Sequence, residues 1–265
     1  MTDKATYTIA TVSDIHGQWY RPDLHYPPAD ILILAGDILK NYSWDRDKDA
    51  EEQLDEIQRL ATYLAKLPYQ EIIVVAGNHD FAFQRPHTKV MARKLLTDLR
   101  IHYLEDEALT LDFKSSAEGV RVPIRFYGSP HQPYFHNWAF NFPPMSKDGG
   151  NDMRAKAAAK ACWEAIPTNT DVLITHGPPH KIMDRCPNGL EVGCPELRRV
   201  TDRLAKSSDS GKGLKLHVFG HIHHSAGKAD YYGAIFKNTA LLGEDYMFLR
   251  DITVESVSVE SKEVV

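Results

Sequence analysis

The chain has 265 residues, of which 43% are apolar and 25% charged, a composition typical of a folded globular protein and not of a disordered or collagen-like one. Its formal net charge of -5 gives no basic surplus that would attract nucleic acid, and no apolar run reaches the roughly 18 residues of a membrane span. We therefore expect a single soluble domain over residues 1–265 without a membrane partner, nucleic acid is disfavoured as a partner but not excluded, and the oligomeric state stays open.

The start of the chain and its cysteines bear on the compartment. The first residues lack the charged-then-apolar order of a signal peptide. Cys162, Cys186 and Cys194 are an odd number at irregular spacing, so we interpret them as reduced, inert thiols and not as a disulfide framework. Both features favour the cytoplasm.

Five short apolar runs alternate with helix-like segments, which is typical of a mixed α/β domain with parallel strands. The runs cover residues 7–12, 31–35, 72–76, 172–174 and 214–219. Helices are predicted at 49–67, where Pro68 should end the first, and at 88–99, 152–166 and 195–205. Alternating segments at 101–127 and 233–259 indicate antiparallel strands, and loops are expected at 140–150 and 206–213.

Each apolar run is followed by side chains that can bind a metal ion. In chain order these are Asp14 with His16, Asp37, Asn78 with His79 and Asp80, His176, and His221 with His223. Ligands of open α/β sheets bind beyond the carboxyl ends of the strands, so the five endings should converge. Each residue alone is explained equally well as a turn or surface residue. The occurrence of metal-capable residues after all five apolar runs favours a metal site.

Two details of spacing support this interpretation. Gly36, Gly77 and Gly220 each precede a candidate ligand, where the chain must turn sharply and a Cβ would crowd the ions. In the Asp-Ile-His and His-Ile-His segments one isoleucine separates two polar residues, so an extended chain would place both polar groups on one side. Each pair would then act as a pincer on an ion.

The order Asp-x-His, Gly-Asp, Gly-Asn-His-Asp, His-Gly and Gly-His-x-His resembles the calcineurin-like metallophosphoesterase superfamily, over residues 8 to about 240. Residues 127–140, 175–179, 192–194 and 217–223 look like its metallophosphoesterase domain-containing (MPPED) branch. The resemblance implies a four-layer α/β/β/α sandwich with two mixed β-sheets. Asp80 and His224 stand where members of the branch often have Glu.

The same resemblance implies a role for each motif residue. A first metal would be bound by Asp14, His16, Asp37 and His223, and a second by Asp37, Asn78, His176 and His221. Asp37 would bridge the two ions. His79 would be the catalytic histidine and Asp80 the acidic partner that orients it. Nitrogen and oxygen ligands without a thiolate fit two transition-metal ions such as Mn, Fe or Zn, with Co and Ni also open.

The implied function is hydrolysis of a phosphodiester, such as a cyclic nucleotide or another small diester, by a metal-bound hydroxide. Three different functions stay open beside it: a phosphomonoesterase or protein phosphatase with the same centre, a nuclease, and a metal- and nucleotide-binding scaffold of low activity. Further candidates to line a substrate pocket, each also explained as a surface or packing residue, are His131, His136, Trp138, His180 and Arg185.

Overall fold

The computed structural model of the chain describes residues 3–144, 153–207 and 213–260. The strands in these ranges are β1 (Lys4–Val12), β2 (Ile31–Ala35), β3 (Glu71–Val75), β4 (His102–Tyr103), β5 (Glu107–Leu111), β6 (Ile124–Ser129), β7 (Val172–Thr175), β8 (Leu216–Phe219), β9 (Gly227–Tyr231), β10 (Ala234–Asn238) and β11 (Thr253–Glu260). The α-helices are α1 (Arg46–Leu64), α2 (Lys89–Thr97), α3 (Met153–Glu164) and α4 (Pro195–Lys206).

The strands form two mixed sheets. The first has the order β11-β1-β2-β3-β4 and is parallel except for β11, which runs antiparallel to β1. The second has the order β5-β6-β7-β8-β10-β9, and its two outer strands run antiparallel to the four parallel strands between them. The parallel strands of both sheets therefore present their carboxyl ends at sheet edges, where a ligand site can form.

Three apolar clusters separate four layers. One cluster joins the first sheet to α1 and α2, a second lies between the sheets, and a third joins the second sheet to α3 and α4. In β1, Tyr7 and Ile9 face the second sheet, whereas Ala10 and Val12 face the helices. Burial on both faces explains why β2, β3 and β7 are nearly continuous apolar runs. The expected α/β/β/α arrangement with two mixed sheets is confirmed.

The first helix differs from its predicted bounds at both ends. It begins at Arg46 because the side chain of Asp45 accepts hydrogen bonds from the backbone N–H groups of Asp47 and Lys48. It ends at Leu64, before Pro68 is reached. The spacing of apolar residues indicates which face of a helix is buried. The ends of the helix depend on capping groups, which the spacing does not reveal.

Strand directions were predicted less well. In the segment expected to be antiparallel, β5 and β6 do pair antiparallel, but β4 runs parallel to β3 and β6 runs parallel to β7. In the later segment β10 pairs antiparallel with β9 and β11 pairs antiparallel with β1, as expected, but β10 also runs parallel to β8. Alternating exposure reports which face of a strand is buried and carries no information on its direction.

Parts of three predicted elements, at residues 145–150, 152 and 208–212, lie outside the described residues. None of the helices in the described ranges combines the length and the apolar character needed to cross a bilayer.

Candidate metal centre

The carboxyl ends of β1, β2 and β3 in one sheet and of β7 and β8 in the other meet at one edge of the sandwich. Ligand-capable atoms lie within 4.8 Å of one another in three overlapping groups, Asp14 with His16 and His223, His16 with Asp37 and His79, and Asp37 with His176 and His221. Asn78 joins them through its Oδ1, which lies 2.9 Å from His176 Nε2. All seven predicted ligands are thus brought together.

Asp37 lies at the middle of this cluster. Its Oδ2 is 3.3 Å from His176 Nε2 and 3.9 Å from His16 Nε2. Asp14 Oδ1 lies 3.3 Å from His223 Nε2, which in turn lies 3.4 Å from His16 Nε2. Asp37 belongs to two of the three groups, as a carboxylate shared by two ions would.

Hydrogen bonds behind the cluster orient two of its histidines. His176 Nδ1 donates to the carbonyl of Ala35 at 3.1 Å, and His223 Nδ1 donates to the carbonyl of Gly243 at 3.0 Å. A carbonyl oxygen only accepts, so the proton of each ring must sit on Nδ1. The Nε2 atoms that face the cluster are then the ones available to bind a metal, an arrangement common among metal-binding histidines.

The backbone of the cluster is held in a sparsely populated conformation. Asp14, His16, Asp37 and His221 have φ of 53°, 40°, 51° and 69°, in the left-handed region that residues with a Cβ rarely adopt. Such strain persists where surrounding structure enforces it, and it concentrates at functional sites.

This backbone also corrects the expectation of extended pincers. Asp14 and His16 share one group although the chain between them is turned, whereas His221 and His223 fall into different groups. The glycines were expected to leave room for the ions, but they leave room for the candidate ligands. A Cβ on Gly36, Gly77 or Gly220 would collide with His176, Asp37 or Asp14, respectively.

Charge is concentrated in the cluster. Burial opposes ionisation of Asp14, but the neighbouring His223 lowers its pKa to about 2, and several histidines, His176 first, hold the pKa of Asp37 well below its usual range. Burial likewise opposes protonation of His176 and His223, but Asp37 and Asp14 respectively raise their pKa to about 9. The two carboxylates are therefore ionised and stabilise positive charge beside them.

The remaining histidines supply neutral nitrogen. Burial lowers the pKa of His16 to about 4 and that of His221 to about 3, so both rings are neutral near pH 7. Ionised carboxylates, two neutral imidazoles, two imidazoles that can lose a proton to an incoming ion and one amide oxygen, with no thiol among them, form a donor set that fits transition-metal ions. On this chemistry the residues fit a two-metal centre.

His79 borders the cluster, with its Nε2 3.9 Å from Asp37 Oδ2. On its other side His79 Nδ1 contacts Asn41 Oδ1. The Asn41 amide nitrogen donates to Asp49 Oδ2 at 2.7 Å and to the His79 carbonyl at 3.0 Å, which fixes the orientation of the amide because both partners are acceptors. The Nδ1 of His79 must therefore carry a proton, and its Nε2 is the atom that can exchange one.

Asp80 was expected to orient this ring, and the structure corrects that expectation. Its buried carboxylate accepts from the backbone N–H groups of Gly77 at 2.7 Å, Leu39 at 2.9 Å and Ile38 at 3.1 Å. Burial and the charge of Asp37 raise the pKa of Asp80 to about 8. Asp80 thus ties together the loops after β2 and β3, and Asn41 is the residue that contacts His79 Nδ1.

Two further side chains, Trp138 and Arg46, complete the surroundings of His79. The ring of Trp138 lies 4.0 Å from that of His79, with an angle of 33° between their planes. The guanidinium of Arg46 lies 4.3 Å from the centre of the Trp138 ring and 3.9 Å from Asp49 Oδ2. We call Asn41, Arg46, Asp49 and Trp138 the His79 collar. Only Trp138 was a sequence candidate; Asn41 and Arg46 lie in segments where no spacing distinguished them.

A cleft of about 310 Å³ opens over the cluster. Its walls are apolar and aromatic, with Tyr134, Phe135, Val192 and Tyr246 among them, and Glu244 adds one carboxylate. The described residues that line the cleft include neither lysine nor arginine. The five loop candidates are not among the described residues that line it, namely His131, His136, Trp138, His180 and Arg185, although Trp138 packs against His79.

Comparison with known proteins gives consistent matches. The chain is 32% identical over 239 residues to the human and mouse metallophosphoesterase domain-containing protein 1, an alignment that covers 82% of this chain and 60% of each relative. It is 30% identical over 222 residues to the probable rhamnogalacturonate lyase C of Emericella nidulans, covering 83% of this chain and 17% of that protein. The chain thus spans only about 60% of the length of its human and mouse relatives.

The family comparison covers the same motifs as the structural cluster. The sequence model of the calcineurin-like phosphoesterases matches residues 7–225, a range that includes every strand end from Asp14 to His223. Together with the two mixed sheets and the candidate metal groups, this match shows that the chain belongs to the calcineurin-like phosphoesterase family.

Proposed function

We propose that this chain is a metal-dependent phosphodiesterase that hydrolyses small phosphodiesters, cyclic nucleotides among them. The observation that carries the diester preference is the charge of the cleft: its described lining has no lysine or arginine and does contain Glu244. A monoester dianion needs additional cationic groups around its phosphate, commonly arginine, whereas a diester carries a single charge that a metal pair can balance. The residues of the cleft therefore favour a diester.

The size and the walls of the cleft support a small substrate. A volume of about 310 Å³ suits a small molecule, and a phosphoprotein would need an open groove. Aromatic rings at Tyr134, Phe135 and Tyr246 offer flat apolar surfaces against which a substituent of the diester can pack. A nucleobase is one such substituent, which makes a nucleotide an acceptable substrate.

The candidate ligands divide between two ions. Asp14, His16, Asp37 and His223 would hold the first, and Asp37, Asn78, His176 and His221 the second. When bound, such a pair clamps phosphate oxygens and lowers the pKa of the water that attacks phosphorus. Manganese, iron and zinc all suit this donor set. Because both sheets contribute ligands, we propose that the whole chain acts as one metallophosphoesterase domain.

His79 has the geometry of a general acid. With Nδ1 committed to Asn41, a proton on Nε2 faces the cleft, where it can pass to the leaving alkoxide. Burial lowers the pKa of His79, so the imidazolium gives up that proton more readily than a free histidine would. The His79 collar keeps the ring in this orientation.

The proposal is tested by comparing two chromogenic substrates. Protein stripped with a chelator and reloaded with Mn²⁺ should hydrolyse bis-p-nitrophenyl phosphate at least about 10-fold faster, as kcat/KM, than mono-p-nitrophenyl phosphate, a difference of about 1.4 kcal/mol. Elemental analysis of the same sample should give two manganese ions per chain. The reverse preference would indicate a phosphomonoesterase or protein phosphatase.

Two further outcomes would identify a binding scaffold or a nuclease. Metal-loaded protein that binds a nucleotide but leaves both chromogenic esters intact would indicate a scaffold of low activity. Cleavage of single-stranded DNA faster than of the small diester would indicate a nuclease, although the net charge of -5 argues against it.

A further inference from the structure

A second group of metal-capable side chains lies outside the candidate metal centre and shares no residue with it. Asp106, His131 and Cys162 each offer one ligand atom, and the three atoms lie within 4.8 Å of one another. His131 Nε2 is 3.0 Å from Asp106 Oδ2, and Cys162 Sγ is 3.5 Å from Asp106 Oδ1. The cleft over the first centre does not include these residues.

The three residues come from separate elements. Asp106 precedes β5 in a turn with φ of 55°, His131 follows β6, and Cys162 lies on α3. His131 is fixed from behind, since its Nδ1 donates to the carbonyl of Phe140 at 3.2 Å and its ring stacks on that of Phe142. Its Nε2 is therefore the atom that points to Asp106 and Cys162, as in a histidine prepared for a metal.

The spacing of these atoms matches a tetrahedral zinc site. Ligands at the usual Zn–N, Zn–O and Zn–S distances of about 2.0–2.3 Å stand roughly 3.3–3.8 Å apart around a tetrahedral ion. The separations of 3.0 Å and 3.5 Å need only small side-chain adjustments to reach that range. A set of one thiolate, one imidazole and one carboxylate is also chemically suited to zinc.

An independent observation comes from Tyr127. Its side chain is 3% exposed, and its hydroxyl has no hydrogen-bond partner among the described residues. Tyr127 pairs with Ala108, two residues after Asp106, and belongs to the same apolar cluster as Ala159 and Trp163 of α3, the helix that carries Cys162. A buried hydroxyl without a partner is costly, and an ion with its bound water at this position would give it one.

We propose that Asp106, His131 and Cys162 form a zinc site separate from the dinuclear centre, with solvent as the fourth ligand. Asp106 is exposed enough for a water molecule to reach the ion. On binding, the thiol proton of Cys162 and the proton shared by His131 and Asp106 leave to solvent. The ion would tie α3 to the loop after β6, which also carries Trp138 of the His79 collar.

The test uses cobalt as a spectroscopic substitute for zinc in the full chain. Metal-free protein is titrated with Co²⁺ to three equivalents, and the near-ultraviolet region is followed for thiolate-to-cobalt charge transfer. None of the seven ligands proposed for the dinuclear centre contains sulfur, so that band reports the second site alone. We expect the band in the natural sequence, its loss in Cys162→Ser, and its displacement by an equivalent of Zn²⁺.

Two variants make the result specific. Cys186→Ser, which removes a cysteine that lines the cleft, should keep the band. If Cys162→Ser does not fold by circular dichroism, His131→Gln replaces it and should weaken Co²⁺ binding at this site at least about 10-fold.

Absence of the band in the natural sequence, or its survival in Cys162→Ser, overturns the zinc site. The readout does not depend on hydrolysis. A charge-transfer band in protein that cleaves no ester would therefore refute the proposed phosphodiesterase while leaving the zinc site intact.

Discussion

Buried carboxylates lie at both ends of β2, and their partners differ in kind. At the amino end, Asp30 accepts from the backbone N–H and hydroxyl of Thr8, from the same two groups of Ser116, and from the side-chain amide of Gln70. At the carboxyl end, Asp37 accepts one backbone N–H, from His79, and its other oxygen faces imidazole nitrogens. Both side chains are almost completely inaccessible to solvent.

The comparison shows that burial and a lowered pKa do not identify a functional carboxylate. Hydrogen bonds hold the pKa of Asp30 below its usual value, against its burial, and histidines do the same for Asp37. The neutral donors around Asp30 satisfy its oxygens completely, so a cation has nothing to gain there. The histidines around Asp37 are positively charged only while they are protonated. A metal ion can displace these protons and bind to the ring nitrogens.

Asp37→Asn should have the largest effect on activity, because both ions would lose their shared ligand. We expect kcat/KM for the diester to fall by more than about 10³-fold and elemental analysis to find fewer than two ions per chain. In metal-free protein the substitution should also lower the free energy of unfolding, because burial opposes the ionisation of Asp37 but neighbouring histidines, His176 first, hold its pKa well below the usual range, so that its charge stabilises the folded state. Full activity with two bound ions in this variant would contradict the bridging role.

His79→Ala separates the proton donor from the ligands. The variant should keep both ions and lose kcat by about 10²–10⁴-fold, the usual contribution of general acid catalysis. Its loss should be smaller for a diester with a better leaving group, because such a group leaves without protonation. A suitable control is His87→Ala, which removes an exposed histidine whose Nε2 lies 3.8 Å from Glu51. If His79→Ala lost its metal content, His79 would be a ligand and not the acid.

Trp138→Leu tests the His79 collar. Loss of the ring that packs against His79 should lower kcat about 10-fold to 100-fold with little change in KM, because the acid is mispositioned while the cleft is intact. Trp138→Phe retains an aromatic face and should restore most of the rate. Equal losses in the two variants, accompanied by equal losses of thermal stability, would show that Trp138 only packs.

The convergence of the ligands was predictable because it follows from strand order. A polar residue after each apolar run must lie at a carboxyl end, and in parallel strands such ends share an edge. Both mixed sheets were expected only through the family resemblance. The direction of β4 and the bounds of α1 were not predictable, since they depend on pairing partners and capping groups that leave no periodic signal.

The surroundings of His79 show where sequence reasoning failed and why. Asp80 is adjacent to His79 in sequence, but its carboxylate accepts from the backbone N–H of Gly77 in its own turn and from those of Ile38 and Leu39 in the loop after β2. Asn41 is 38 residues away and reaches the ring through folding alone. Adjacency in sequence is a poor guide to side-chain contact where the backbone is turned.

The smallest effect on activity is expected at the other end of β2. Asp30→Asn should leave metal content and kcat unchanged and lower the free energy of unfolding by about 1–2 kcal/mol, because an amide cannot accept from all the donors that surround Asp30. The pKa of Asp30 is lowered in the folded chain, so its ionisation stabilises the protein above the unfolded pKa, and this stabilisation is lost as the pH falls. Urea unfolding of metal-free protein at pH 7 and at successively lower pH should therefore show the two proteins converging in stability in acid. A constant difference between them at every pH would mean that the lost contacts of Asp30, and not its charge, set its contribution.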